Sequence, residues 1–384
     1  MEKNVLAIIA GRIPLSFSYG FLNVLLSIYL YSIGYSYLSI GIIIGVAIII
    51  NALLAFFIAM LADHYGRKNV LIILFFLFFL SSILFLQSKN IFALALLSGI
   101  GGFTGSGGGP IGSGGPFGAI QTAMITEFTD RKSFSSVLSI ASAFGMLASV
   151  VGAFFIEVFE LLSINVYLLF YVASIFGLLG GIITFAVKDN KVRSKHLLPH
   201  MSWKNIIKLT IPTMPGGIGS GLISPIFSMW FHIKFNLTSG QIGLIFGAAN
   251  LFTIFMMLLL PKITSKETEL KTIISTRVIG SISLILIAFT PFLSLSIIFF
   301  MLRNGFQMGA VPIRQSFAMG IVDDTERATT SGATSMARTG FSSISPPLSG
   351  SIIASSLAYP PLFGGVISLF DPILYYILFK GHWK

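Results

Sequence analysis

The chain has 384 residues, of which 55% are hydrophobic and 10% charged, with a mean hydropathy of +0.92. That leaves too little polar surface for a soluble globule of this size, so composition points to a polytopic membrane protein. The net charge of +11 does not indicate a nucleic-acid partner, because the basic residues fall in short loops between apolar runs; the lack of cysteine excludes disulfides, thiolate metal sites and cysteine nucleophiles.

Twelve apolar runs follow, at about 5–31, 38–61, 70–87, 91–128, 134–157, 163–187, 205–231, 239–260, 272–293, 295–320, 329–357 and 359–380. Placing both termini in the cytosol puts nearly all loop and span-end cations inside, Arg67, Lys68, Arg131, Arg193, Arg277 and Arg327 among them, with Lys89 and Lys234 outside. This asymmetry supports the count and the orientation. The N-terminus runs into the first span without a small-residue cleavage site, so no removable signal peptide is expected.

Span 1 carries Arg12, Ser16, Tyr19, Asn23 and Ser27 at helical spacing, which makes one face of an apolar helix polar. Lipid would not solvate such a stripe, and an intramembrane arginine costs about 2.5 to 3.5 kcal/mol even on the lenient insertion scale, so the stripe should face the bundle interior or a wet cavity.

Between spans 2 and 3 lies a knot of charge, Ala59 to Lys68, containing Asp63, His64, Gly66, Arg67 and Lys68. It reads as a tight loop, with Gly66 permitting the reversal and the two cations marking the cytosolic side. Asp63, Gly66, Arg67 and Lys68 resemble the loop signature of the major facilitator superfamily, Gly-x-x-x-Asp-Arg-x-Gly-Arg-Lys/Arg, with departures at Ala59 and His64. The resemblance implies a role for Asp63 in capping the eleventh helix and latching the two halves of a transporter in the outward-facing state. A carboxylate at a helix N-terminus meets orphan N–H groups and the positive end of the dipole, which makes the role physically sensible.

Span 4 is too glycine-rich between Gly99 and Gly118 to be one uninterrupted helix, and too long for one crossing, so a broken helix is predicted with Gly105 to Gly115 unwound. Just beyond the break, Gln121 and Thr122 are the polar side chains it offers a cavity.

The second half repeats the first. Ile40-Gly41 with Gly45 recurs as Ile242-Gly243 with Gly247, Ile13-Pro14 recurs as Ile211-Pro212, and Arg131 before span 5 has Arg327 before span 11. These matches predict an all-α membrane protein of twelve transmembrane helices in two pseudo-symmetric six-helix bundles, 1–187 and 205–384, joined by a basic cytoplasmic linker at 188–204. Span 7 carries a stripe of Thr213, Gly217, Ser220, Ser224 and Ser228, and span 10 places Arg303, Gln307 and Arg314 in one arc. For any single serine or threonine, a bond back to its own helix is the simpler account. In the resembled family spans 1, 4, 7 and 10 line the central cavity.

Acids inside spans are scarce. Asp371 in span 12 lies at a depth similar to Arg338 in span 11, which predicts an ion pair between them, and Glu127 ends span 4. If transport is coupled to protons, Asp371 or Glu127 must carry them. The five histidines are scattered and no catalytic triad or metal cluster is apparent, so neither an enzyme nor a cofactor is expected. The partners expected are a small-molecule substrate and the lipid bilayer, for a monomer in the plasma membrane. Two functions compete: export of amphipathic or drug-like solutes, and import or exchange of an anionic metabolite held by Arg12 and Arg303. A non-transporting receptor or scaffold is the third alternative.

Overall fold

The computed structural model describes residues 3–104, 115–129, 134–187, 203–321 and 327–382. In chain order the helices are α1 (Lys3–Ser32), α2 (Tyr37–Tyr65), α3 (Arg67–Gln87), α4 (Ile91–Gly101), α5 (Pro116–Glu127), α6 (Phe134–Leu161), α7 (Leu169–Phe185), α8 (Trp203–Thr210), α9 (Thr213–Gly221), α10 (Phe227–Phe235), α11 (Ser239–Ile263), α12 (Glu269–Phe289), α13 (Leu293–Gly309), α14 (Val311–Ile321), α15 (Arg327–Ile353) and α16 (Tyr359–Phe379). Among the described residues there is no strand, and eight segments are long and apolar enough to cross a membrane, in α1, α2, α3, α6, α11, α12 and α16 and in α7 together with the 3-10 turn Val166–Leu168 before it.

The other four of the twelve spans are divided or polar, for local reasons. Span 4 is divided between α4 and α5, and the predicted unwinding of Gly105 to Gly115 lies, but for Gly115, outside the described residues. Span 7 is cut into α8, α9 and α10 by two proline steps: Pro212 caps α9, and Pro225 opens the short 3-10 turn Ser224–Ile226. Span 10 breaks at Ala310, where Pro312 in the first turn of α14 has no N–H to give to α13. Span 11 is the continuous α15, rich in serine and threonine.

The chain divides into two compact units, Met1–Lys195 with Phe231–Gly247, and His196–Trp230 with Ala248–Lys384. Within the first unit α1 packs on α6 and α7, α3 on α7, and α2 on α4. Within the second, α9 packs on α15 and α16, and α12 on α16. There Gly305 and Gly309 of α13 lie against Phe252 and Met256 of α11. Each unit thus pairs its first span with its fifth and sixth, its third with its sixth, and its second with its fourth, the packing counterpart of the repeat in the sequence.

Close approach depends on small residues at a few points. On α6, a Cβ at Gly152 would collide with the Phe17 carbonyl of α1, and one at Gly20 with the Ser149 carbonyl, so these two glycines set the α1–α6 distance. Elsewhere in the first unit Phe85, Phe103 and Phe170 form stacked and edge-on contacts with centroids 4.9 to 5.7 Å apart, each worth about 0.5 to 1.5 kcal/mol beyond burial. Outward-facing Ile73, Phe76, Phe255, Phe289 and Phe370 remain exposed, as helices solvated by lipid require. At the start of α11, Thr238 and Gln241 exchange side chain to backbone bonds in a capping box, which engages the hydroxyl of the Asn236-Leu237-Thr238 sequon.

Candidate functional site

In the first unit the polar stripe of α1 turns inward: Arg12, Ser16 and Tyr19 are all buried. Arg12 donates from Nη1 to Gln121 Oε1 of α5 at 2.8 Å, so two predicted cavity residues from spans 1 and 4 meet. Gly145 of α6 leaves the room this arginine occupies, since a Cβ there would lie 2.8 Å from its Nε. Ser16 Oγ and Asn23 Oδ1 are buried with no hydrogen-bond partner among the described residues, whereas Thr122 bonds back to Gly118 O at 2.7 Å.

Tyr19 also caps a helix end. Helix α4 stops at Gly101 inside the protein, with Gly102 left-handed at φ 68° and the Phe103 N–H donating to Ser98 O, a Schellman end. Gly99 O already accepts from the Gly102 N–H, but the Gly101 carbonyl left over at such an end needs a donor, because no water is at hand within hydrocarbon. Tyr19 Oη donates to Gly101 O at 2.9 Å and Asn51 Nδ2 of α2 donates to Gly99 O at 3.1 Å. Two buried side chains from neighbouring helices thus cap the broken span. Asn51 is a site residue that sequence reasoning missed; its signal was a lone amide in the middle of span 2.

The charged loop is as tight as predicted. Gly66 alone links α2 to α3, at φ 94°, a conformation that L side chains rarely adopt. Arg67 donates to Glu127 Oε1 at 2.5 Å and to Ala123 O at 3.1 Å, both on α5, and Lys68 donates to Phe185 O at 2.7 Å, at the end of α7. The two cations therefore fasten the ends of α5 and α7, where the negative end of each helix dipole favours them. Glu127 is half-buried in an ion pair with Arg67. The side chains of Asp63 and His64 lie outside the described residues.

In the second unit Arg303 donates to Ser224 Oγ at 2.7 Å and to Asn304 Oδ1 at 3.2 Å, and its guanidinium lies 5.8 Å from the Phe227 ring. The helical stripe expected on span 7 does not run through: Ser220 bonds back to Gly217 O, and the 3-10 turn at Ser224–Ile226 changes the phase before Ser228. The arc expected on span 10 is also interrupted, at Ala310, yet Arg314 still reaches back to Gln307 O at 2.9 Å across the break.

The expected Arg338–Asp371 pair is corrected. Asp371 is paired with Arg277 of α12, and both are buried. Arg277 is held from its other side by the Tyr375 ring, 4.9 Å away. Similar depth did not identify the partner, because depth says nothing about which way a helix faces. Arg277 had been counted among the cations at the inner ends of spans; α12 begins at Glu269, which carries Arg277 about two turns into the helix. Arg338 nonetheless lines the same cleft, with Arg277, Asp371, Gln307, Arg314, Ser281, Ser368 and Gly216.

A helical membrane protein with buried, hydrogen-bonded arginines and interrupted helices in each of two similar units is built as a solute transporter. Residues 8–346 match the family model of the Major Facilitator Superfamily, and the chain belongs to that superfamily. It is 22% identical over 323 residues, 80% of this chain and 79% of the relative, to the quinolone resistance protein NorA of Staphylococcus aureus strain MSSA476. Solved structures of similar fold include the human organic anion transporter MFSD10, with a TM-score of 0.69 at 15% identity over 98% of both chains. The nucleoside transporter NupG superposes with a TM-score of 0.72 at 14% identity over 100% of both chains. The POT family transporter PepTSo gives 0.77 at 11% identity over 100% of this chain and 98% of that one. The protein is an integral membrane transporter with the fold of that superfamily.

Proposed function

We propose that this transporter exports amphipathic or drug-like organic solutes across the plasma membrane by alternating access, with the two six-helix halves 1–187 and 205–384 rocking about the linker 188–204 and both termini in the cytoplasm. The observation that carries the direction and substrate class is the similarity to a quinolone resistance protein over four-fifths of the chain. The burial of Arg12 and Gln121 in one half and of Arg303 in the other supports a polar passage within apolar walls. Asp63 serves as the latch, so Asp63→Asn lowers turnover at near-normal expression. Protons are the coupling ion, carried by Asp371 or Glu127.

The test is export of fluorescent amphipathic cations and quinolones from proteoliposomes with an imposed pH gradient. Gradient-dependent movement supports the proposal. Movement of no member of a broad panel, with or without the gradient, overturns it in favour of a receptor or scaffold.

A second reading, import or exchange of an anionic metabolite, is favoured by Arg303, a buried cation whose hydrogen-bond partners, Ser224 and Asn304, are both neutral. The two readings part on Arg12→Ala: loss of transport supports the anion reading, and altered selectivity with transport retained supports export.

A further inference from the structure

The cleft inside the second unit holds more positive charge than its own residues neutralise. Arg277, Arg314 and Arg338 all line it, on α12, α14 and α15, and Asp371 of α16 is the single acid among its lining residues. Only Arg277 pairs with that acid among the described residues; Arg314 is engaged by the neutral Gln307 carbonyl. Two positive charges, on half-buried side chains of spans 10 and 11, are thus in excess. Each costs about 2.5 to 3.5 kcal/mol or more to hold there. A charge so far removed from water is ordinarily paired.

Three further details fit a missing anion. Ser281 Oγ is buried in the cleft with no hydrogen-bond partner among the described residues, and so is Arg277 Nε, which leaves donors at hand. The Tyr375 ring covers the other side of Arg277, so the guanidinium is oriented rather than free to turn away. At Gly216 of α9 a Cβ would press on Asp371 Oδ2 and lie 3.3 Å from Arg277 Nη1, so the missing side chain gives its room to the pair itself and leaves the far side of the cleft, toward Arg314 and Arg338, for an anion.

We propose that this cleft binds a small inorganic monoanion, of the size of a halide, between Arg314, Arg338 and the Ser281 hydroxyl, while Asp371 pairs with Arg277. The anion completes the charge balance of the second unit whichever solute the protein carries, so the inference stands apart from the proposed function. Asp371, whose Oδ1 is buried without a hydrogen-bond partner among the described residues, repels an anion held in the same cleft. Neutralising it should strengthen anion binding, and removing an arginine should weaken it.

The experiment follows thermal unfolding of the full-length protein in detergent, started in sodium gluconate and titrated with sodium chloride or bromide at constant ionic strength. The expected result is a saturable rise in unfolding temperature with either halide. Arg338→Gln should raise the half-saturating concentration tenfold or more, Arg338→Lys should keep the response, and Asp371→Asn should lower the half-saturating concentration. If Arg338→Gln does not fold in gluconate, Arg314→Gln carries the same expectation, and crystals grown in bromide should show anomalous density between Arg314 and Arg338. A rise that does not saturate, one that is equal for bulky organic carboxylates, or a halide response unchanged in both arginine-to-glutamine variants would overturn the site. Bromide density only elsewhere would do the same.

Discussion

Replacing Tyr19 by phenylalanine tests whether α4 ends inside the protein on a side-chain cap. The substitution removes one oxygen and leaves the ring, which keeps its edge-on contact with Phe78 at 5.5 Å, so no cavity opens and no packing term is expected. What is lost is the bond to Gly101 O, and the carbonyl left behind is buried beside Gly102 with no water to replace the donor. An orphaned acceptor of this kind costs about 1 to 3 kcal/mol. Asn51→Leu removes the second donor to the same helix end and should cost less, because Gly99 O still accepts from the Gly102 N–H. Because the two donors serve carbonyls two residues apart, their effects should be coupled by about 0.5 kcal/mol or more rather than simply additive. Equilibrium unfolding of the purified protein, in mixed micelles of increasing denaturing-detergent fraction, measures all four corners of the cycle. Tyr19→Phe within about 0.3 kcal/mol of the parent, with Asn51→Leu equally silent, would show that α4 does not need these caps and would refute the reasoning.

Arg67→Gln should destabilise the protein by about 1.5 to 3 kcal/mol in the same assay, since it leaves the half-buried Glu127 without its charged donor, and Glu127→Gln should cost less because the amide still accepts from Arg67. Gly152→Leu should abolish recovery of monodisperse protein by driving α6 from α1, while Gly340→Ala on α15, where a Cβ meets nothing within 4 Å, should be neutral or stabilising by about 0.5 to 1 kcal/mol. Arg277→Met alone should cost about 3 to 5 kcal/mol by stranding Asp371, whereas Arg277→Met with Asp371→Leu should recover much of that loss, read as unfolding midpoints in halide-free buffer. Equal stability of the single and double variants would mean that the pair carries no such coupling.

Much of this protein is legible along the chain because membrane solvation is one-dimensional: hydropathy marks each span, cations mark the loops, and the glycine-rich run in span 4 announces that a helix will stop. The Gly66 reversal and the inward turn of Arg12 and Ser16 follow from the same local rules. The sequence also carries the internal repeat, and the matching sets of helix pairings in the two units are its consequence.

What only the tertiary structure decided is which buried polar groups meet. Asp371 chose Arg277 over Arg338, Tyr19 was committed to the end of α4, and Asn51 joined it, because hydrogen bonds and ion pairs depend on how each helix is rotated as well as on depth. The breaks at Ser224–Ile226 and Ala310 shift that rotation partway along spans 7 and 10, so periodic spacing read across them loses its phase. Depth can be counted at a fixed rise per residue, but azimuth is set by packing between elements far apart in the chain.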